Sequence, residues 1–182
     1  MTNPPVVTEL VTPQPHLFDI SACADPRYRQ MLMNLFLPRT RSTKIKGHWV
    51  ESLFQCQIMA LGFTACKPWG DCSAFDLVLE RMRRTLRVQV KSAWKRSTHR
   101  KNSYVFRTRR GSGVGSAKSP YTARHADFIV GLVVPADAWY IIPVQAVGSR
   151  SCIYVYPEGA ERNRRGPDYE QYRDAWHLLF ND

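Results

Sequence analysis

The segment Ala74 to Ser92 constrains the fold most, because apolar and polar residues alternate along it in strand fashion. Folded as a hairpin turning at Arg81 to Arg84, it pairs Phe75 with Val90, Leu77 with Val88 and Leu79 with Leu86. One face is then entirely apolar, and that fixes the register, since a slip of one residue would turn the face to water. The same register sets Asp76 opposite Gln89 on the other face, with Lys91 two residues further along, so three polar side chains converge there.

The rest of the chain offers elements to pack on that hairpin. From Gly47 to Leu61, Val50, Leu53, Phe54, Ile58 and Leu61 recur at helical spacing, and Gly62 stands where a left-handed C-terminal cap belongs. Phe63 to Cys66 reads as a short strand, and Pro68 with Gly70 turns the chain before the hairpin. Strands are predicted at Tyr104 to Thr108, Asp127 to Val134, Trp139 to Ile142 and Cys152 to Tyr156. A helix is predicted from Asp168 to about Phe180, with Tyr169, Tyr172, Trp176 and Leu179 along one side. Helix, strands, helix predicts an α/β sandwich whose mixed central sheet is flanked by helices.

With 182 residues, 44% of them hydrophobic, one core with appendages is expected, which excludes a multidomain machine and a wholly disordered chain. Residues 1–24, with Pro4, Pro5, Pro13 and Pro15, read as a tail or surface strap. Asp25 as N-cap and Pro26 behind it open a predicted helix to Leu37, so residues 25–45 form a helix and linker and residues 46–182 the main domain.

Charge narrows the partners. The net charge is +11, and residues 81–124 carry 14 of the 26 Lys and Arg with no Asp or Glu. Such a one-sided stripe repels itself unless an anion neutralises it, and Trp94, Tyr104, Phe106 and Tyr121 are interleaved with the bases. Nucleic acid is the expected partner, with Arg84, Lys95, Arg96, Arg100, Lys101, Arg107, Arg109, Arg110 and Lys118 as contacts. The five cysteines are scattered without a CxxC, which fits a reducing cytoplasmic setting and supports neither a disulfide framework nor a ribbon-type zinc site. No apolar run reaches the ~18 to 20 residues of a membrane span, so no membrane partner is expected.

Glu51 near the start of the Gly47 to Leu61 helix, Asp76 on a strand and the triplet Gln89-Val90-Lys91 on the next strand together resemble the PD-(D/E)xK nuclease superfamily. The likeness runs from about Lys46 to Pro143 and is greatest to the group I intron-associated homing endonucleases, where Gln stands in the third metal position. The resemblance implies a restriction-endonuclease-like core and an endodeoxyribonuclease, Mg2+- or Mn2+-dependent, that acts on double-stranded DNA as a homo-oligomer, dimer or tetramer. It implies Glu51, Asp76, Gln89 and Lys91 as catalytic residues, with Glu51, Asp76, Gln89 and the Val90 carbonyl holding the metal.

Elementary chemistry agrees. A phosphodiester needs its developing charge neutralised and a water activated, and a hard cation held by oxygen ligands does both. Lys91 beside it would orient or help deprotonate that water. Two other readings remain open at this level: a restriction, repair or junction-resolving nuclease on the same core, and a non-catalytic DNA-binding protein on a decayed nuclease fold, which Gln89 keeps alive. The segment Gly113 to Ser119 lacks the glycine spacing of a P-loop, and His48, Cys56, Cys66 and Cys72 match no standard zinc spacing, so the cysteines are expected in the core.

Overall fold

The computed structural model describes residues 37–70, 73–110, 119–159 and 168–180. The expected N-terminal tail, nearly all of the Asp25 to Leu37 helix, Cys72, Lys118, the Arg110 side chain and most of the Gly113 to Ser119 segment lie outside them.

Helix α1, Thr43–Ala60, starts four residues before the Gly47 expected from periodicity, because Ser42 supplies the N-cap, its Oγ accepting from the Ile45 N–H at 3.4 Å. It ends where expected, with Gly62 at φ +83°. The strands are β1 (Thr64–Cys66), β2 (Leu77–Arg81), β3 (Arg84–Ala93), β4 (Tyr104–Arg107), β5 (Arg109–Arg110), β6 (Ser119–Pro120), β7 (Phe128–Val133), β8 (Ala138–Pro143) and β9 (Cys152–Val155). A single helical turn, α2 (Val144–Val147), follows β8.

The hairpin forms in the register read from the sequence, Leu77 opposite Val88 and Leu79 opposite Leu86, but the ladder stops short of the expected Phe75–Val90 pair because β2 begins only at Leu77. Its turn uses Met82 and Arg83, both at positive φ, as a tight hairpin with native twist requires. The central sheet runs in the order β1-β2-β3-β7-β8, and every pairing is antiparallel except the parallel β3–β7. The mixed α/β architecture predicted from the sequence is therefore the one observed. The β3–β7 junction is fastened by Asp127, whose carboxylate accepts from the Arg87 N–H at 2.7 Å and Nη2 at 2.9 Å.

The sheet is packed on both faces at β7 and β8, while its β1–β2 edge is partly exposed. Leu77, Leu79, Leu86, Val88 and Val90 pack with Phe128, Val130 and Leu132 against Val50, Phe54 and Ile58 of α1. On the opposite face Ile129, Val133, Tyr140 and Ile142 pack under the β4–β9 ribbon through Tyr104, Phe106, Ile153 and Val155, with Tyr121 beside them. Those buried aromatics correct one expectation: Tyr104, Phe106 and Tyr121, read as interleaved with the basic stripe, belong to this second core.

Two further expectations fail. Residues 168–180 form no continuous helix, only 3-10 turns at Glu170–Tyr172 and Trp176–Leu179. Between them the chain docks on the β8 edge: Arg173 bridges Tyr140, the Asp174 N–H donates to the Trp139 carbonyl at 2.7 Å, and Asp174 takes φ +48°. The four apolar residues expected on one side divide accordingly, Tyr169 and Tyr172 to the ribbon-side core, Trp176 and Leu179 to the α1-side core. Edge pairing and two separate hydrophobic faces outweigh the helical period. The cysteines differ as well: Cys56 and Cys66 are exposed, because α1 and the edge strand β1 each bury only one face.

Gly131 marks the tightest contact between layers. A Cβ there would come within 2.5 Å of the Phe106 ring, which lies directly on the strand. Gly131→Ala should therefore destabilise the protein by about 1–3 kcal/mol through overpacking, read as a lowered midpoint in urea unfolding, and Phe106→Leu in the same chain should recover part of the loss.

Candidate active site

Asp76 stands one residue before β2, and its N–H donates to the Val88 carbonyl at 2.8 Å, extending the ladder by one bond. Beyond that point the strands part. The Val90 N–H, left without a backbone partner on that edge, donates instead to Asp76 Oδ2 at 2.7 Å. The Gln89 amide nitrogen donates to the same oxygen. Asp76 Oδ1 makes no hydrogen bond with the described residues, so a single carboxylate oxygen ties Asp76 to β3.

Gln89 and Lys91 project from the same face of β3 as expected, but that face is roofed. Gln89 is only 6% exposed, and its Oε1 accepts from the Tyr121 hydroxyl at 2.9 Å. The Lys91 Nζ lies 5.7 Å from the centre of the Tyr121 ring. An exposed polar pair would be the ordinary outcome for two such residues on a strand; the segment carrying Tyr121 covers them instead.

Glu51 arrives from the opposite layer, on α1. Its Oε2 accepts from Lys67 Nζ at 2.5 Å and faces His48 Nδ1 at 3.4 Å. Its charge reaches the strand residues. Burial raises the Asp76 carboxyl above its ordinary value, Lys91 and the Val90 N–H draw it back, and Glu51 raises it further. Burial likewise lowers the Lys91 ammonium, with Asp76 and then Glu51 opposing. Asp76, Gln89, Lys91 and Glu51 thus form one electrostatic group where the β2–β3 ladder opens.

The donor chemistry suits a hard cation. Two carboxylates, an amide and the Val90 carbonyl are oxygen donors of the kind Mg2+ or Mn2+ takes, and two anions match its charge. Among the described residues no three His, Cys, Asp or Glu side chains cluster as a metal set, so a cation here needs the neutral donors as well. Sequence reasoning missed Lys67 and the contact role of Tyr121. Lys67 had no signal beyond its place before the Pro68 turn, and Tyr121 lies 32 positions from Gln89.

Several side chains of the basic stripe have a partner within the fold. Arg84 donates to the Leu179 carbonyl at 3.2 Å, Arg96 pairs with Glu158, and the Arg100 guanidinium lies 4.2 Å from the centre of the Tyr154 ring. Arg87, outside the expected DNA-binding set, is committed to Asp127. Lys95, Lys101, Arg107 and Arg109 are exposed.

The family model described as PD-(D/E)XK endonuclease matches residues 41–179, a span that includes Glu51, Asp76, Gln89 and Lys91. The chain belongs to the PD-(D/E)XK endonuclease family. A search of curated proteins returns no match. Among solved structures, the chain is similar to the bacterial homing endonuclease I-Ssp6803I, at 32% identity and a TM-score of 0.65, over 76% of this chain and 93% of that one. Fold and family thus agree with the sequence reading, and the chain is a nuclease of this family. No helix among the described residues is long and apolar enough to cross a membrane.

The Asp76 shift has a sign that can be tested. A carboxyl raised above its unfolded value contributes stability that is fully present below about 3.8 and lost as pH rises through the folded value, so its ionised form opposes folding at neutral pH. Asp76→Asn keeps an oxygen for the Val90 N–H and removes the charge. Without divalent ions it should be at least as stable as wild type at pH 7, and its advantage should shrink as pH falls toward 4, measured by urea unfolding across that range.

Proposed function

We propose that this nuclease is a divalent-metal-dependent DNA endonuclease of the intron-associated homing type. The Asp76–Gln89–Lys91 group, in which Gln89 is buried and the two charged side chains are half-buried, carries the proposal, with the Glu51 charge reaching it from α1. Asp76 and Glu51 serve as anionic ligands, the Gln89 oxygen and Val90 carbonyl as neutral ones. A bound Mg2+ or Mn2+ would neutralise charge on the phosphate and acidify a water. Lys91, its proton affinity lowered by burial, takes or steers the proton of the attacking water and meets the phosphate. Burial also excludes bulk water, which strengthens each of these interactions.

The acid-free basic stripe supports DNA as substrate, through exposed Lys95, Lys101, Arg107 and Arg109 above all. Similarity to a homing endonuclease supports that role over restriction or repair. Cutting both strands of a duplex calls for two sites, so the enzyme works as a homo-oligomer.

Cleavage of mixed genomic DNA should require Mg2+ or Mn2+ and vanish in EDTA, and sequencing the cut ends should return one long recognition site; many short, frequent sites would instead indicate restriction. Asp76→Asn and Lys91→Ala should lose cleavage by orders of magnitude while retaining DNA affinity in EDTA, because neither side chain grips the backbone. Cutting by folded Asp76→Asn would refute its assignment.

Replacing Lys95 and Arg107 by Ser should flatten the plot of log affinity against log salt by about 0.9 for each phosphate that the variant no longer neutralises. Arg84→Ala should act mainly on stability, since it removes the bond to the Leu179 carbonyl. An unchanged slope in the double variant would take those residues off the DNA face.

A further inference from the structure

We infer that Tyr121 is a positioning residue of the nuclease site, holding Gln89 and Lys91 at once and pairing with the Gln89 amide in either of its two orientations. The inference rests on the metal-dependent reading above and extends it to a residue outside the Glu-Asp-Gln-Lys set. Its hydroxyl meets Gln89 Oε1 at 2.9 Å and its ring lies 5.7 Å from Lys91 Nζ. One side chain therefore touches both polar members of the Gln89-Val90-Lys91 triplet. Tyr121 is itself 6% exposed and fixed in the ribbon-side core, so the contact is held by packing.

The orientation of the amide gives the hydroxyl its purpose. As it stands, Nε2 faces Asp76 and Oε1 faces Tyr121. An amide nitrogen is a donor only, so Gln89 can present an oxygen beside Asp76 only after the amide turns end for end. The terminal torsion of Gln is soft and roughly two-fold, so the turn itself meets little resistance. What would oppose it is the desolvation cost of a buried polar atom left without a partner. A phenol both donates and accepts: it donates to Oε1 in one orientation and accepts from Nε2 in the other. Tyr121 thereby removes the penalty from both states. Meanwhile its ring holds the Lys91 ammonium over the same face by a cation–π contact.

Tyr121→Phe tests this, since it keeps the ring and deletes only the hydroxyl. In 15N-labelled protein without metal, the Gln89 side-chain amide resonances, identified by their loss in Gln89→Glu, should shift in Tyr121→Phe and exchange faster with water. Calorimetric Mg2+ or Mn2+ titration should show affinity weakened roughly 10- to 100-fold, the range found when a partner that orients a metal ligand is removed. DNA affinity in EDTA should stay near wild type, and the thermal midpoint should fall by roughly a few degrees, because the buried Gln89 Oε1 loses its donor. In wild-type protein, Mg2+ should move the Gln89 Nε2 and Tyr121 Cζ resonances together with one dissociation constant, a reading that needs no variant. Unchanged Gln89 resonances in Tyr121→Phe, or wild-type metal affinity in it, would overturn the inference. If wild-type protein bound no divalent ion and cut no DNA, the metal reading would fall and the amide turn with it, while the metal-free spectra would still decide whether Tyr121 holds Gln89.

Discussion

The parallel pairing of β3 with β7 obliges residues 94–127 to cross from one end of the sheet to the other before β7 can begin. In this chain the crossover's strand β4 joins β9 over the face opposite α1, with Tyr121 beside them. Gln89 and Ala93 on that face are consequently buried and Lys91 half-buried, while Thr85, nearer the hairpin turn, stays exposed. Asp127 and Arg87 hold the junction at its start, where backbone and carboxylate bonds converge on one carboxyl group. A sheet that ended at β3 would expose the same polar residues to water and deprive them of any unusual chemistry.

Burial is what gives the polar group its character. Asp76 and Lys91 are each displaced by desolvation toward their neutral forms, and each partly restores the other. The fold thus keeps a group whose ionised state is unfavourable, a common compromise between stability and activity. Asp76 offsets part of the loss by acting as a backbone substitute, since its Oδ2 accepts the Val90 N–H where the β2 strand no longer reaches. Lys67 performs a similar service for Glu51 with its ammonium.

The basic stripe is less uniform than its composition suggests. Arg84, Arg87, Arg96 and Arg100 spend their guanidinium groups on a carbonyl, two carboxylates and an aromatic ring. A carbonyl and an aromatic ring leave the charges of Arg84 and Arg100 intact, whereas Asp127 and Glu158 offset those of Arg87 and Arg96. Net charge therefore marks the kind of partner better than it marks the contacts.

The hairpin register, the first helix, the later strands and the grouping of Asp76, Gln89 and Lys91 were all legible in the sequence, because each depends on side-chain period or on neighbours a few residues apart. Helix α1 began earlier than its apolar period indicated because a polar cap, Ser42, set the boundary. The terminal segment defeated the periodicity argument, since pairing with the β8 edge and a left-handed Asp174 are long-range effects that no local pattern encodes. Only the tertiary structure decided that the polar face would be covered, that Lys67 would meet Glu51, and that Tyr121 would reach both Gln89 and Lys91. Local alternation specifies which side of a strand a residue occupies; whether that side meets water or protein depends on chain that returns from dozens of residues away.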